Sequence, residues 1–176
     1  MTQFDLIQEI KTAFKGVTLE DGIGLCEGNG IDDYASKEQL LELRKQDEKE
    51  NWENVPFDDI CGKYESAFVY LDAKGMRFYL PQYLIADILW EELQDKGINM
   101  SFEPNWLLER VEDGQFELLN YAQIQAIIHY LEYNIQLEIE ENKKYGVADE
   151  YNQTLYTNSP VLQKWKQLLS DKREKK

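Results

Sequence analysis

The stretch from Phe68 to Leu93 constrains the fold more than any other part of the chain. Ala67-Phe68-Val69-Tyr70-Leu71 and Met76-Arg77-Phe78-Tyr79-Leu80 are two runs of residues enriched in β-strands. Between them, Asp72-Ala73-Lys74-Gly75 supplies an aspartate to start a turn and a glycine for a left-handed position. This pattern predicts an antiparallel hairpin, with Met76, Phe78 and Leu80 on one face and Arg77 and Tyr79 on the other. Pro81 follows where a first helical turn accepts proline, because that amide has no helical partner anyway. The helix it opens sets Leu84, Ile85, Ile88, Leu89 and Leu93 on one stripe, and Gly97 ends it.

Elsewhere the spacing is mostly helical. Thr2 caps a first helix whose predicted inner face carries Phe4, Ile7, Ile10 or Lys11, and Phe14. The glycine-punctuated segment through Gly22, Gly24, Gly28 and Gly30 reads as irregular, and it lacks the strand and helix that flank a dinucleotide-binding loop. Ser36 and Gln39 form a capping box for a second helix that runs into the charged 46–53 stretch. Asp58 or Asp59 starts a short turn, Trp106-Leu107-Leu108 fits a strand or a helical turn, and Glu112-Asp113-Gly114 reads as a turn. Asn120 and Gln123 open the longest helix, striped by Ile124, Ile127, Ile128, Leu131, Ile135 and Ile139 and ending near Lys144 or Tyr145. After a polar connection, Ser159-Pro160 begins a last helix burying Val161 or Leu162, Trp165, and Leu168 or Leu169. The expected class is α+β, mostly α: a helical domain with one antiparallel β-hairpin (about 67–80) leading into a helix. One globular domain over 1–170 and a basic, frayed tail over 171–176 are expected.

Charge narrows the function classes. Nineteen Lys and Arg against 34 Asp and Glu leave a net charge of -15, which repels phosphate backbones and anionic headgroups and attracts a basic protein. The expectations are therefore no nucleic acid, no membrane, and a basic protein as partner. The segment Met1–Asp5 lacks the basic region and apolar run of a signal peptide, and Cys26 and Cys61 sit in no C-x-x-C pair. A cytoplasmic protein with buried free thiols is expected.

The block Asp72-x-x-Gly75-x-Arg77-Phe78-Tyr79-Leu80-Pro81-x-Tyr83-Leu84 resembles one found in an uncharacterised bacterial protein family. Phe4 to Phe14, Asp21-Gly22-Ile23, Asp32-Asp33, and Arg44 leading to Trp52 and Pro56 are similar to that family as well. So is Phe116-x-x-Leu119-x-x-x-Gln123-x-x-Ile127-x-x-Tyr130-Leu131, so that the resemblance spans roughly residues 4–135. The chain beyond about Tyr145 departs from the family's usual end. The resemblance implies a shared fold and carries no activity with it.

Catalytic patterns are thin. The sole histidine, His129, falls off the apolar stripe beside Gln125, Glu132 and Gln136 and is expected to face solvent. That argues against Ser-His or Cys-His chemistry and a histidine-rich metal site. Asp32-Asp33, Asp47-Glu48 and Asp58-Asp59 could hold a divalent cation only if the fold gathered them, and no EF-hand spacing exists. No cofactor, metal or catalytic residue is expected. Arg77, Tyr79 and Tyr83 are candidates for a polar-aromatic groove, unless Arg77 is tied to Asp72 or to an acid of the second helix.

The leading expectation is a non-enzymatic, acidic protein-interaction domain, in its sharpest form an immunity-type protein neutralising a basic toxin or effector. Its contact residues would be Asp47, Glu48, Glu50 and Glu53, or Glu138, Glu140 and Glu141. The alternatives are a small-molecule-binding or enzymatic pocket at the hairpin–helix junction, and a dimeric structural or regulatory subunit with the long helix as its seam.

Overall fold

The computed structural model describes residues 1–99, 104–111 and 114–174. Among them are the helices α1 (Gln3–Ala13), α2 (Leu25–Asp32), α3 (Lys37–Arg44), α4 (Ala73–Ile88), α5 (Trp90–Asp95), α6 (Pro104–Leu108), α7 (Tyr121–Lys144), α8 (Asp149–Asn158) and α9 (Pro160–Glu174). Three tighter or wider turns, Trp52–Asn54, Asp59–Lys63 and Glu65–Tyr70, complete the described elements. No strand occurs among the described residues, so the fold is all-α and the expected hairpin is absent.

The residues assigned to the hairpin form two helical pieces instead. Ala67 to Tyr70 belong to the 3-10 turn, and Ala73 to Leu80 are the first half of α4. Asp72 is the N-cap: its carboxylate accepts the Gly75 amide at 2.8 Å and its carbonyl accepts the first helical bond, from Met76 at 2.8 Å. The same aspartate oxygen takes the Ile23 amide at 3.1 Å, pinning the cap to the segment before α2. Pro81 lies inside α4 rather than at its start, removing the amide that would have met the Arg77 carbonyl. That cost is about 3 kcal/mol in a free helix, and here burial offsets it. From Met76 to Ala86 every residue except Arg77 is buried, so the helix is apolar almost all round. Aromatic and β-branched residues favour packed surroundings, and α4 supplies them without a sheet.

Two compact units are present. The first joins Met1–Ala13 to Asn120–Lys176. Its axis is α7, opened by the Asn120–Gln123 capping box and burying Ile124, Ile127, Ile128, Leu131 and Ile139. Helices α1, α8 and α9 pack against it, α9 through Leu162 and Trp165. Thr2 caps α1 through a reciprocal pair with Asp5. The buried face of α1 is Leu6 and Ile10, whereas Phe4 is exposed, so the inner stripe is rotated from the expected one. The polar connection after Tyr145 is largely the helix α8, and residues 171–174 are still helical.

The second unit, Phe14–Leu119, is built around α4. The segment expected to be irregular contains α2, and its glycines permit close approach. A Cβ on Gly28 would stand 3.1 Å from Ala67, and one on Gly30 would stand 2.3 Å from the Leu43 side chain. Helix α3 begins with the expected Ser36–Gln39 capping box but stops at Arg44. The helix expected to run to Leu93 is broken at Leu89 into α4 and α5, and Gly97 then adopts a positive φ. Trp106–Leu108 is helical, whereas the turn expected at Glu112-Asp113 lies outside the described residues.

Candidate functional site

Helix α2 starts at a glycine and cannot cap itself. Gly24 offers no side-chain oxygen, so the amides of Cys26 and Glu27 reach Asp47, at 2.7 and 3.4 Å. The Leu25 amide donates to the Tyr79 phenol oxygen. Glycine is required at 24 by proximity, because a Cβ there would sit 2.1 Å from the Asp47 carboxyl carbon. Asp47 is 8% exposed, and burial pushes its carboxyl above the usual range despite the amides that pull it down.

Beside this cap lies a cavity of about 320 Å³ whose polar walls include Cys26, Asp47, Glu48, Asp59, Tyr64 and Tyr79. Among the described residues no cationic side chain lines it. Lys63 stands at its edge, 3.7 Å from Asp59 and over the Tyr64 ring. The Cys26 thiol contacts the Tyr64 hydroxyl at 3.4 Å. Burial raises the pKa of Cys26, and burial with the charge of Asp58 raises that of Cys61 to about 11. Both thiols are thus protonated at neutral pH, which is poor preparation for nucleophilic chemistry. Burial also drives the Tyr79 phenol far above its ordinary range.

A second concavity, about 610 Å³, runs between α2 and α3. Its acids are Asp33, Glu38 and Glu42, it too has no cationic lining residue, and Gln46 lines both it and the Asp47 cavity. At its end is Tyr34, 96% exposed and at φ 56. Tyr34 closes α2 in a Schellman motif: its amide bonds the Ile31 carbonyl, and the Ala35 amide bonds the Gly30 carbonyl. Glycine usually holds that left-handed position, since a side chain there costs roughly 1–2 kcal/mol. A large aromatic ring is therefore held out in solvent at a conformational cost.

The residues singled out from sequence are scattered by the fold. Arg77 does not share a face with Tyr79 and Tyr83: its guanidinium pairs with Glu20 at 2.6 Å, in a cluster where Lys74 also reaches Glu20 and Asp21. Its partner is thus neither Asp72 nor an acid of α3. Tyr79 and Tyr83 are buried, Tyr83 edge-on to Phe68. The 47–53 acids are not one solvated band, since Asp47 caps α2 and Glu48 accepts the amides of Lys49, Glu50 and Asn51. Glu50 and Glu53 are exposed, as are Glu138, Glu140 and Glu141 on α7 in the other unit. His129 is only part-exposed, held by Glu9 at 2.8 Å and Gln125 at 2.9 Å, rather than turned freely to solvent. Asp32 binds the Tyr70 hydroxyl and Asp33 binds Asn29, whereas Asp47, Glu48 and Asp59 share the walls of the Asp47 cavity. Among the described residues no group of three or more His, Cys, Asp and Glu could hold a metal. Tyr34 escaped the sequence reading because exposure and left-handed φ are not visible in residue order.

A family model matches residues 2–168 of the chain. The chain belongs to DUF6714, a family of unknown function. No curated protein and no solved structure matches it. The DUF6714 match takes in α8 and the first part of α9, so family similarity continues well past Tyr145. No described helix is long and apolar enough to cross a membrane.

Asp47 sets a pH signature. Its folded pKa lies above the value of 3.8 it has when unconstrained, so its ionised form weakens the fold above the folded pKa. That penalty vanishes as pH falls through the folded pKa toward 3.8. Asp47→Asn keeps an acceptor for the Cys26 amide and should change stability at neutral pH by no more than about 1 kcal/mol. Urea denaturation of both proteins across pH should show wild type gaining on the variant as pH falls from neutral toward 4.

Proposed function

We propose that this protein is a non-enzymatic docking module that binds a basic segment of another protein in the groove between α2 and α3. The observation that carries the reading is Tyr34, a fully displayed ring kept in a left-handed conformation beside the carboxylates of Asp33, Glu38 and Glu42, of which Glu42 is paired with Lys45, with no cation lining the groove among the described residues. Rigid tyrosines ringed by polar residues are favoured interface anchors, and the net charge of -15 would speed the approach of a basic partner. Neutralising a basic toxin or effector in the cytoplasm is the sharpest form of this function. Protonated thiols and a histidine committed to Glu9 and Gln125 favour binding over catalysis. The stripe of α7 is covered by helices of its own unit, which weighs against that helix as a dimer seam.

Tyr34→Gly separates function from folding. Relief of the left-handed strain should raise stability by about 1 kcal/mol. Binding of a labelled peptide of alternating lysine, arginine and glycine, read by fluorescence anisotropy, should weaken by about tenfold. Neutralising Asp33, Glu38 and Glu42 should weaken it similarly, while neutralising Glu138, Glu140 and Glu141 should leave it within about twofold. Equal losses from both sets of acids, with no effect of Tyr34→Gly, would reduce the interaction to net charge and sink the groove.

A further inference from the structure

We infer that the Asp47 cavity is a guanidinium pocket, receiving one arginine side chain of the basic segment laid in the α2–α3 groove. The inference rests on the docking function proposed above and names the side chain that gives it specificity. Four observations converge on it. Asp47 is more than nine-tenths buried and is held by two main-chain amides and the Cys26 thiol, and Lys49 acts on its charge without forming an ion pair with it. A buried carboxylate with neutral donors only retains part of its desolvation cost, and a cation entering beside it would recover that cost. The cavity, about 320 Å³, adds the carboxylates of Glu48 and Asp59, the latter 3.7 Å from Lys63 at the edge, and the phenols of Tyr64 and Tyr79, and among the described residues no cation lines it. Finally, Gln46 lines both the cavity and the groove, so a segment in the groove lies at the cavity's edge.

The chemistry selects guanidinium over ammonium. A guanidinium is a flat fork of five donors that can meet a carboxylate side-on while its face lies against an aromatic ring. The cavity offers acceptors on several walls and the Tyr64 ring, which already receives the Lys63 cation on one face. An ammonium is compact and strongly hydrated, and would use fewer of these walls. Asp47 would then have two roles, closing α2 in the free protein and answering a cation in the complex.

The test uses the full chain and ethylguanidinium as probe, followed by the amide resonances of Cys26 and Glu27, whose N–H groups lie on the Asp47 carboxylate. Saturable shifts at those two amides are expected, with ethylammonium binding several-fold more weakly at matched ionic strength. Asp47→Asn should weaken the probe by about tenfold or more, because the charge that holds it is gone. Asp59→Asn, at a less buried wall, supplies a second arm that does not touch the α2 cap and should weaken it by about threefold. Shifts that never saturate, that are the same for ethylammonium, or that persist unchanged in both variants would overturn the pocket. The basic peptide separates this failure from that of the groove. Peptide binding that depends on Tyr34 and not on Asp47 would refute the pocket and keep the groove. Saturable probe binding without any peptide binding would keep the cation site and refute the groove.

Discussion

Trp52→Ala is expected to destabilise the Phe14–Leu119 unit by about 3–5 kcal/mol, the range for removing a fully buried large aromatic. Trp52 is 2% exposed, and its indole N–H donates to the Phe14 carbonyl at 3.0 Å. The substitution would leave both a cavity and a buried carbonyl without its donor. The loss would also loosen neighbours that matter for the proposed site. Trp52 sits in the segment whose Lys49 carbonyl accepts the Leu19 amide and whose Val55 carbonyl accepts the Gln82 side chain, both at 2.8 Å. Those bonds hold the loop that presents Asp47 and Glu48. Trp52→Phe keeps much of the ring and loses the donor, so a smaller cost of about 1–3 kcal/mol should follow. Urea denaturation followed by circular dichroism measures both. A Trp52→Ala protein as stable as wild type would show that this tryptophan does not anchor the loop.

Gly75→Ala should destabilise the same unit by about 2 kcal/mol, although alanine is the better helix former by roughly 1 kcal/mol. Gly75 lies in the first turn of α4 with its amide on Asp72. A Cβ there would stand 2.1 Å from the Ile23 carbonyl oxygen, a main-chain atom that cannot swing aside as a flexible side chain could. Packing therefore outweighs propensity. In a hairpin turn Gly75 would need a positive φ, whereas here it is a helical residue chosen for contact. Asp72→Asn, which preserves a capping oxygen, should cost well under Gly75→Ala in the same denaturation experiment, about 1 kcal/mol or less.

Local chemistry explains which parts were legible. Thr2, Ser36 and Asn120 with their partners three residues on close hydrogen bonds within one turn, and nothing distant is needed to read them. The stripe of α7 was legible because its apolar residues repeat over several turns, and only one side of the helix carries them. Asp72 and Gly75 were visible as a unit, but an aspartate accepting an amide three residues on occurs in turns and at helix starts alike. The short apolar runs on either side could not choose, because a buried helix and a buried strand look the same over five residues. The glycines of α2 misled for a related reason. Glycine weakens a helix unless another element comes close enough to need the space, and Ala67 and Leu43 do.

The Phe68–Leu93 block thus determined, by itself, a buried and capped element beginning at Asp72. Its tertiary setting decided that the element is a helix, since neighbours on all sides cover it and offset the cost of Pro81. The candidate site divides in the same way. An acidic chain seeking a basic partner is readable from composition, because charge is additive along the sequence. Which acid is buried at a cap, which tyrosine stands in solvent, and which cavity adjoins which groove depend on residues such as Asp47 and Gly24, far apart in the chain and brought into contact only by folding.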